Sequence, residues 1–377
     1  MGDLNKIYIE PTNRCNLNCV TCIRNSWDEP FGDMDWSVYQ TLIGGLADFP
    51  EVKTISFAGM GEPLLHPKLP EMIHLAHERG LRTEMTSNAM LLTPAIAGQL
   101  VDAGLDQFAV SIDGGSNEAY ENIRQGSSLE QIIKNVAHLS RISRVKNVTG
   151  RVCAAAPTLI RIGVVFVAMQ SNIQELPQIK KIAQNIGASF ILVTNVLPYT
   201  AGLQDEILYR FRPVAKKPPG SALHPLWILP NMDFNEKTMK PLSEIFKGSS
   251  NLAFLDLPLS MRNNYCPFVA AGSVSVGWHG GISPCVPLMH SYSCFIRNKE
   301  KRFLRCEYGR LPNRSLKEIW TDAEYLSFRN RVRVFDFPTC TDCVGCELSE
   351  KNEEDCYNNK FPVCGDCLWA QGVLRCP

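Results

Sequence analysis

The chain has 377 residues, of which 45% are hydrophobic, and this length predicts a large domain joined to something smaller. Its 38 basic and 38 acidic residues balance without long runs of either sign, which argues against nucleic-acid or membrane-surface partners and favours small molecules or proteins. The first residues contain no apolar signal core, and no stretch approaches the roughly 18 apolar residues of a membrane span, so a cytoplasmic protein is predicted.

The first half of the chain alternates short β-branched runs with helical patterns, which is typical of βα units around a parallel sheet. Six strands are predicted, at Lys6–Glu10, Thr54–Ala58, Arg82–Thr86, Gln107–Ser111, Arg161–Ala168 and Ser189–Thr194. Apolar residues at helical spacing predict helices within Lys68–Arg79, Thr93–Asp102, Leu129–Ser140 and Glu175–Ile186. The fold class is therefore α/β.

Distinctive residues follow the predicted strands at the point where each strand ends. Cys15 comes just after the first strand, Gly59–Pro63 after the second and Ser87–Asn88 after the third, while Ser111–Asp113 ends the fourth. Ligands of parallel sheets and βα barrels gather at the carboxyl ends of the strands. These residues therefore predict a common ligand site.

The segment 206–262 is rich in proline and weakly periodic, which predicts a long irregular connection between regions 1–205 and 263–377. Long loops are often functional, so this connection either faces the substrate or only links two domains. A cysteine-rich region starts at Cys266 and contains eleven of the fifteen cysteines. The odd count and the missing signal core disfavour a secreted disulfide framework and favour metal binding.

Three cysteines near the start, Cys15, Cys19 and Cys22, form a C-x3-C-x2-C pattern on a loop after the first strand. Three thiolates can hold three irons of a [4Fe–4S] cube and leave the fourth iron open to a substrate or cofactor. A zinc site that borrows a distant ligand such as Cys153, or a chance cluster of free thiols, is the alternative.

The residues around the triad, Glu10–Cys22, resemble the opening signature of the radical S-adenosylmethionine (SAM) superfamily. Further matches follow in order: Gly59–Pro63 resembles the motif that binds the amino end of SAM, and Thr86–Asn88 resembles the ending of the third strand. Val110–Gly114 is similar to the ribose-facing fourth strand, and Ile123–Arg124 to the segment whose arginine pairs with the SAM carboxylate.

This resemblance implies a partial (β/α)6 TIM-like barrel that binds a [4Fe–4S] cluster through the triad and uses SAM as cofactor. It implies SAM-binding roles for Gly59, Gly61, Glu62, Asn88, Ser111 and Arg124. It further implies reductive cleavage of SAM to methionine and a 5′-deoxyadenosyl radical, with a flavodoxin- or ferredoxin-type reductant.

Two positions depart from the family pattern: Thr21 stands where an aromatic residue is common, and Met60 replaces the first glycine of the Gly-Gly pair. The neighbouring glycines still predict close approach of the backbone to a ligand. Other roles remain open for three residues: Glu62 as a helix-start carboxylate, Ser111 as an ordinary strand end and Arg124 as a surface residue.

The C-terminal cysteines include pairs at C-x2-C spacing, which suit iron–sulfur or zinc ligation equally well. Their order resembles the SPASM domain, particularly at Cys266–Phe268, Gly280–Cys285, Ser315–Trp320 and Cys364–Cys367. That resemblance implies one or two auxiliary [4Fe–4S] clusters, the first bound by Cys266, Cys285 and Cys367 and the second by Cys340, Cys343, Cys364 and Cys376. Alternative ligands are Cys346 and Cys356, whereas Cys153, Cys294 and Cys306 are spare thiols, and none of the seven histidines shows metal-ligand spacing.

The predicted function is radical modification of a peptide, a protein or a cofactor. Arg14–Leu17 together with Cys22–Pro30 resembles maturases associated with tungsten-containing oxidoreductases. The runner-up is a SPASM enzyme that forms thioether or carbon–carbon links in a ribosomal precursor peptide. A non-catalytic iron–sulfur or zinc scaffold is the third possibility.

Overall fold

The computed structural model describes residues 3–149, 159–209, 226–230, 232–233, 235–246, 252–254, 264–296, 299–338, 340 and 346–376. Two cysteines of the sequence analysis, Cys153 and Cys343, lie outside these ranges. Within them, no helix is long and apolar enough to cross a membrane.

A mostly parallel sheet of ten strands organises the described residues, in the order β10-β9-β1-β2-β3-β4-β5-β6-β7-β8. Its strands are β1 (Lys6–Ile9), β2 (Thr54–Phe57), β3 (Arg82–Ser87), β4 (Gln107–Ser111), β5 (Arg161–Ala168), β6 (Phe190–Asn195), β7 (Leu226–Leu229), β8 (Leu252–Phe254), β9 (Ser273–Val276) and β10 (Ile282–Ser283). The six predicted strands are confirmed, each within one residue at either end. These strands could be predicted because strands covered on both faces appear in the sequence as near-continuous apolar runs, as in the fully buried β6.

Helices connect the strands and cover the sheet. Their bounds are α1 (Trp36–Gly45), α2 (Leu69–His77), α3 (Pro94–Asp102), α4 (Asn117–Ile123), α5 (Leu129–Thr149), α6 (Leu176–Asn185), α7 (Glu236–Phe246), α8 (Pro267–Ala270), α9 (Leu316–Trp320) and α10 (Ala323–Val334). The start of α3 shows the local cause, because Thr93 accepts a hydrogen bond from the Ile96 amide and Pro94 occupies the first turn. The helices α1 and α4 were not predicted.

The prediction of an irregular connection over 206–262 was wrong for the part of it that is described. There β7, α7 and β8 form another βαβ unit, with β7 paired to β6 and β8 paired to β7, all parallel. The sequence obscures β7 because Pro225 and Pro230 flank it, and β8 has only three residues.

The cysteine-rich region joins the same sheet. Its strand β9 pairs in parallel with β1, where Lys6 lies opposite Ser273, and β10 closes this edge in antiparallel fashion. The main apolar core is continuous across the two regions and includes Ile7 as well as Val274 and Phe328. A separate antiparallel pair, β11 (Tyr292–Ile296) and β12 (Lys299–Phe303), lies beyond the sheet.

Candidate active site

A cavity of about 330 Å³ lies at the carboxyl ends of the parallel strands β1 to β6. Its volume is at the lower end of the range for small-molecule sites, about 300–1,000 Å³. The structure brings together in its wall all the residues predicted for the triad and for SAM: Cys15, Cys19, Cys22, Gly59, Gly61, Glu62, Asn88, Ser111 and Arg124. The departures from the family pattern, Thr21 and Met60, line the same cavity.

The cysteine loop is held by the chain that follows β4. The amide of Val20 donates to the Ile123 carbonyl at 2.9 Å, and the Asn25 side-chain amide donates to the Cys19 carbonyl at 3.0 Å. Both bonds hold the peptide group that joins Cys19 to Val20. Cys19 therefore faces the same cavity as Arg124, the residue next to Ile123.

Each sulfur of the triad has an N–H donor nearby. The Leu17 amide lies 3.5 Å from the Cys15 sulfur, and Arg124 Nη1 lies 3.9 Å from the Cys19 sulfur. Arg24 Nε lies 3.4 Å from the Cys22 sulfur. Donors and positive charge around three sulfurs stabilise thiolates, which are the form that binds metal.

Burial opposes ionisation of these thiols when no metal is present. It raises the pKa of Cys15 and raises that of Cys19 to about 11. A bound cation reverses this balance by deprotonating coordinating thiols. The donor set therefore fits an iron–sulfur cluster, whose thiolates each bind a different iron. Among the described side chains, no three Cys, His, Asp or Glu residues converge closely enough to hold a single metal ion.

Glu62 is buried in the loop that follows β2, and its carboxylate accepts three hydrogen bonds. One oxygen accepts from the Ser87 hydroxyl at 2.7 Å and the Leu64 amide at 3.1 Å, and the other accepts from the Asn88 amide at 2.8 Å. Glu62 therefore has both roles. It caps the short turn Pro63–Leu65, as the helix-start alternative states, and it also lines the cavity. A carboxylate has about four acceptor positions, so one remains for a ligand. Burial raises the pKa of Glu62, which a bound ammonium group would oppose.

The side chain of Arg124 is largely buried, with 13% of its surface exposed, so it is not an ordinary surface residue. Its Nε donates to Asp113 at 2.7 Å, and Asp113 is fixed in turn by the Val167 amide at 2.8 Å. Although burial disfavours the charged guanidinium, Asp113 and then Cys19 hold the pKa of Arg124 above its ordinary value. Its remaining N–H groups are available for an anionic group in the cavity.

The two glycines of the motif after β2 have a packing role that was not predicted. A Cβ at Gly59 would lie 2.6 Å from the Glu10 side chain, and one at Gly61 would lie 2.2 Å from the Thr12 carbonyl oxygen. These glycines are needed because the motif packs against the chain leading to the triad. The amide of Glu62 also donates to the Arg14 carbonyl, at 2.7 Å. The predicted close approach to a ligand stays a prediction.

The C-terminal tail forms part of the cavity wall, which the sequence did not indicate. Cys376 lines the cavity opposite the strands, together with Trp369, Leu374 and Arg375. The Arg375 amide donates to the Thr194 hydroxyl at 2.9 Å, and the Asn195 side chain donates to the Val373 carbonyl at 2.8 Å. No local pattern could reveal a contact between residues about 180 positions apart.

A second unpredicted feature is His290, which was assigned no role. Its Nε2 lies 2.8 Å from a carboxylate oxygen of Glu10, and both side chains are fully buried. The other Glu10 oxygen accepts from the Met60 amide at 2.9 Å. The cysteine-rich region therefore supports the loop that carries the motif after β2, through a buried charge pair.

Four C-terminal cysteines gather beneath this site. Cys266, Cys285, Cys364 and Cys367 lie close enough for electrostatic interaction between every pair, and burial raises the pKa of each thiol. The partition implied by the SPASM resemblance differs, since Cys364 joins the first set here and Cys376 faces the cavity. Four partly buried thiols in one group suit a fully ligated [4Fe–4S] cluster.

The other described C-terminal cysteines separate into two kinds. Cys294 and Cys306 are buried in an apolar cluster, as expected of spare thiols. Cys340 lies near Cys356, and burial raises the Cys340 pKa to about 12. Cys356 is exposed and Cys346 is partly buried.

Two family models match the chain. The model described as "Radical SAM superfamily" matches residues 9–153, and the SPASM model, described as "Iron-sulfur cluster-binding domain", matches residues 266–347. The first range contains the triad and all six residues predicted to bind SAM. The second contains Cys266 and Cys285.

Relatives of known name cover the chain to different extents. The "Tungsten-containing aldehyde ferredoxin oxidoreductase cofactor-modifying protein" of Pyrococcus furiosus is 29% identical over 381 residues, covering 98% of this chain and 96% of that protein. A "Probable GTP 3′,8-cyclase" of Methanocaldococcus jannaschii is 31% identical over 190 residues, covering 49% of this chain and 57% of that protein.

Solved structures share the fold at low identity. Streptococcus suis SuiB bound to precursor peptide SuiA has a TM-score of 0.57 at 13% identity, covering 95% of this chain and 72% of that one. Native anSMEcpe with bound AdoMet has a TM-score of 0.56 at 15% identity, covering 92% and 88%. These likenesses show the fold alone, whereas the two family models identify a radical SAM region at residues 9–153 and a SPASM iron–sulfur cluster-binding domain at residues 266–347.

Proposed function

We propose that this radical SAM enzyme modifies the cofactor of a tungsten-containing oxidoreductase, or the protein that carries it. The reaction class rests on one observation: three cysteines, a buried carboxylate and a buried guanidinium line a single cavity. The substrate class is supported by the relative from Pyrococcus furiosus, whose similarity spans nearly all of both chains. Modification of a ribosomal precursor peptide has weaker support, because the likeness to SuiB extends to the fold alone.

In this proposal Cys15, Cys19 and Cys22 each bind one iron of a [4Fe–4S] cluster and leave the fourth iron for SAM. Glu62 receives the SAM ammonium at its remaining acceptor position, and Arg124, oriented by Asp113, binds the SAM carboxylate. When bound, the cluster supplies one electron for reductive cleavage of SAM to methionine and a 5′-deoxyadenosyl radical.

The other strand-end residues shape the rest of the pocket. Ser111 lies at the end of β4 beside the expected ribose, and Gly59 and Gly61 form the wall at the methionine end. The Asn88 side-chain amide donates to Asn16 at 2.9 Å, which fixes the edge of the pocket next to the triad. The C-terminal tail excludes water from the opposite side.

We further assign an auxiliary [4Fe–4S] cluster to Cys266, Cys285, Cys364 and Cys367, which are partly buried and close enough to interact electrostatically. Cys340, Cys343, Cys346 and Cys356 are the candidates for a second cluster. A flavodoxin or ferredoxin would supply the electrons, as the low potential of such clusters requires.

Anaerobic reconstitution with iron, sulfide, SAM and dithionite tests the reaction class. We expect 5′-deoxyadenosine from the loaded protein, whereas a fully loaded protein that forms none would favour a non-catalytic scaffold. The substrate is tested by adding either an unmodified tungsten oxidoreductase with its cofactor or a precursor peptide encoded near the gene. A mass change in the first supports the proposal, and a thioether or carbon–carbon link in the second supports the runner-up.

A further inference from the structure

Arg24 contacts the cysteine loop at two points. Its Nε donates to the Cys22 sulfur at 3.4 Å, and its Nη2 donates to the Leu17 carbonyl. One half-buried guanidinium thus connects the middle of the loop to its last cysteine. A planar fork of fixed geometry makes two such bonds at little cost in side-chain entropy.

The charge of Arg24 is directed at the triad. Its Nε points at the Cys22 sulfur, 3.4 Å away. Arg124 also approaches the triad, but Asp113 lies 2.7 Å from its Nε and compensates its charge. Arg24 forms no ion pair with an acidic residue in the described part of the chain.

Such a cation acts unequally on the two oxidation states of a cluster. Reduction adds one negative charge to a group that already carries three thiolates, so a nearby positive charge stabilises the reduced state more. A hydrogen bond to a ligand sulfur acts in the same direction, and both are known determinants of cluster potential. Half-burial protects the interaction from full solvent screening.

We propose that Arg24 is a positioning residue that orients the Cys22 sulfur and raises the reduction potential of the cluster bound by Cys15, Cys19 and Cys22. The inference rests on the proposed function in that it requires a cluster at the triad. Its consequence is that electron transfer from a flavodoxin- or ferredoxin-type donor becomes easier.

The test compares Arg24→Gln, which removes the charge, with Arg24→Lys, which keeps it. The measurement is a redox titration followed by electron paramagnetic resonance, using the signal that changes when SAM is added and therefore reports the triad cluster. At the wild-type midpoint potential, we expect Arg24→Gln to raise the ratio of oxidised to reduced cluster about tenfold, equivalent to about 59 mV for one electron. Arg24→Lys should shift the midpoint potential by less than half of that amount.

Arg14→Gln is the matched control, because Arg14 directly precedes the triad. Its side chain is 56% exposed and lies 3.6 Å from Asp33, so its charge is screened and paired. We expect the midpoint of this variant to equal that of the wild type. An equal shift in Arg14→Gln and Arg24→Gln would contradict a specific role for Arg24.

A loaded Arg24→Gln protein that titrates at the wild-type potential overturns this inference alone, and Arg24 would then only clamp the loop. If Arg24→Gln binds no iron, the midpoint potential of Arg24→Lys tests the inference instead. A lysine midpoint near that of the wild type supports the charge effect, and a lysine midpoint far below it contradicts that effect. A wild-type protein whose iron gives no SAM-responsive signal overturns the proposed function itself.

Discussion

The two cysteine sets of this protein differ in how they are built. The N-terminal triad lies on one loop within eight residues and lines an open cavity that also contains a buried carboxylate and guanidinium. The C-terminal set draws four partly buried cysteines from residues 266 to 367 into one group. Three ligands beside a cavity suit a cluster that binds a reactant, and four enclosed ligands suit a cluster that only transfers electrons or stabilises the fold.

The largest expected effect separates these two roles. Cys19→Ala should abolish 5′-deoxyadenosine formation, because the cluster loses one of its three protein ligands, while iron bound at the C-terminal set remains. Iron content, Mössbauer spectra and product analysis provide the measurement. Cys294→Ala is the control, since Cys294 is a buried thiol that belongs to neither set. Unchanged cleavage in Cys19→Ala would refute the role of the triad.

The two regions meet at the buried pair of His290 and Glu10, whose Nε2 to carboxylate distance is 2.8 Å. His290→Gln should destabilise the fold by about 3–5 kcal/mol, because removing one partner leaves a buried charge uncompensated. Anaerobic thermal unfolding measures the change. An unchanged melting temperature would show that the regions do not depend on this pair.

The same pair predicts a pH dependence. Burial lowers the pKa of His290, but Glu10 and then Glu29 outweigh it and raise the value to about 9. A histidine with a raised pKa contributes its full stabilisation below its unfolded value near 6.5 and loses it as the pH rises through about 9. The free energy of unfolding of the wild type should fall as the pH rises across this window. That of His290→Gln should not show this decrease. Equal slopes in both proteins would contradict the assignment.

A smaller effect is expected for Glu62→Gln, which keeps a side chain of similar shape but removes its negative charge. SAM binding should weaken by about 1.5–3 kcal/mol, the usual value of a hydrogen bond to a charged group. Equilibrium binding of SAM to the iron-loaded protein measures this loss. Ser111→Ala provides the comparison, with about 0.5–1.5 kcal/mol for a neutral hydrogen bond. A larger loss at Ser111 would reverse their proposed roles.

The strands of the barrel were largely predictable, whereas some elements between and beyond them were not. Buried parallel strands such as β5 and β6 are continuous apolar runs, and the residues at their ends stood out against them. The strand β7 was missed because prolines flank it on both sides, and β8 because it has only three residues. The packing role of Gly59 and Gly61 was not predicted, because it depends on the loop after β1, which fills the space that a Cβ would need.

The sequence by itself determined the triad, the strand-end motif residues and the α/β class, because each depends on residues close together in the chain or on a repeating local pattern. Only the tertiary structure decided the grouping of Cys364 with Cys266, the tail in the cavity wall and the pair of His290 with Glu10. These contacts join residues about 100 to 280 positions apart. Their partners are chosen by how the sheet and its connections pack, and no local spacing records that choice.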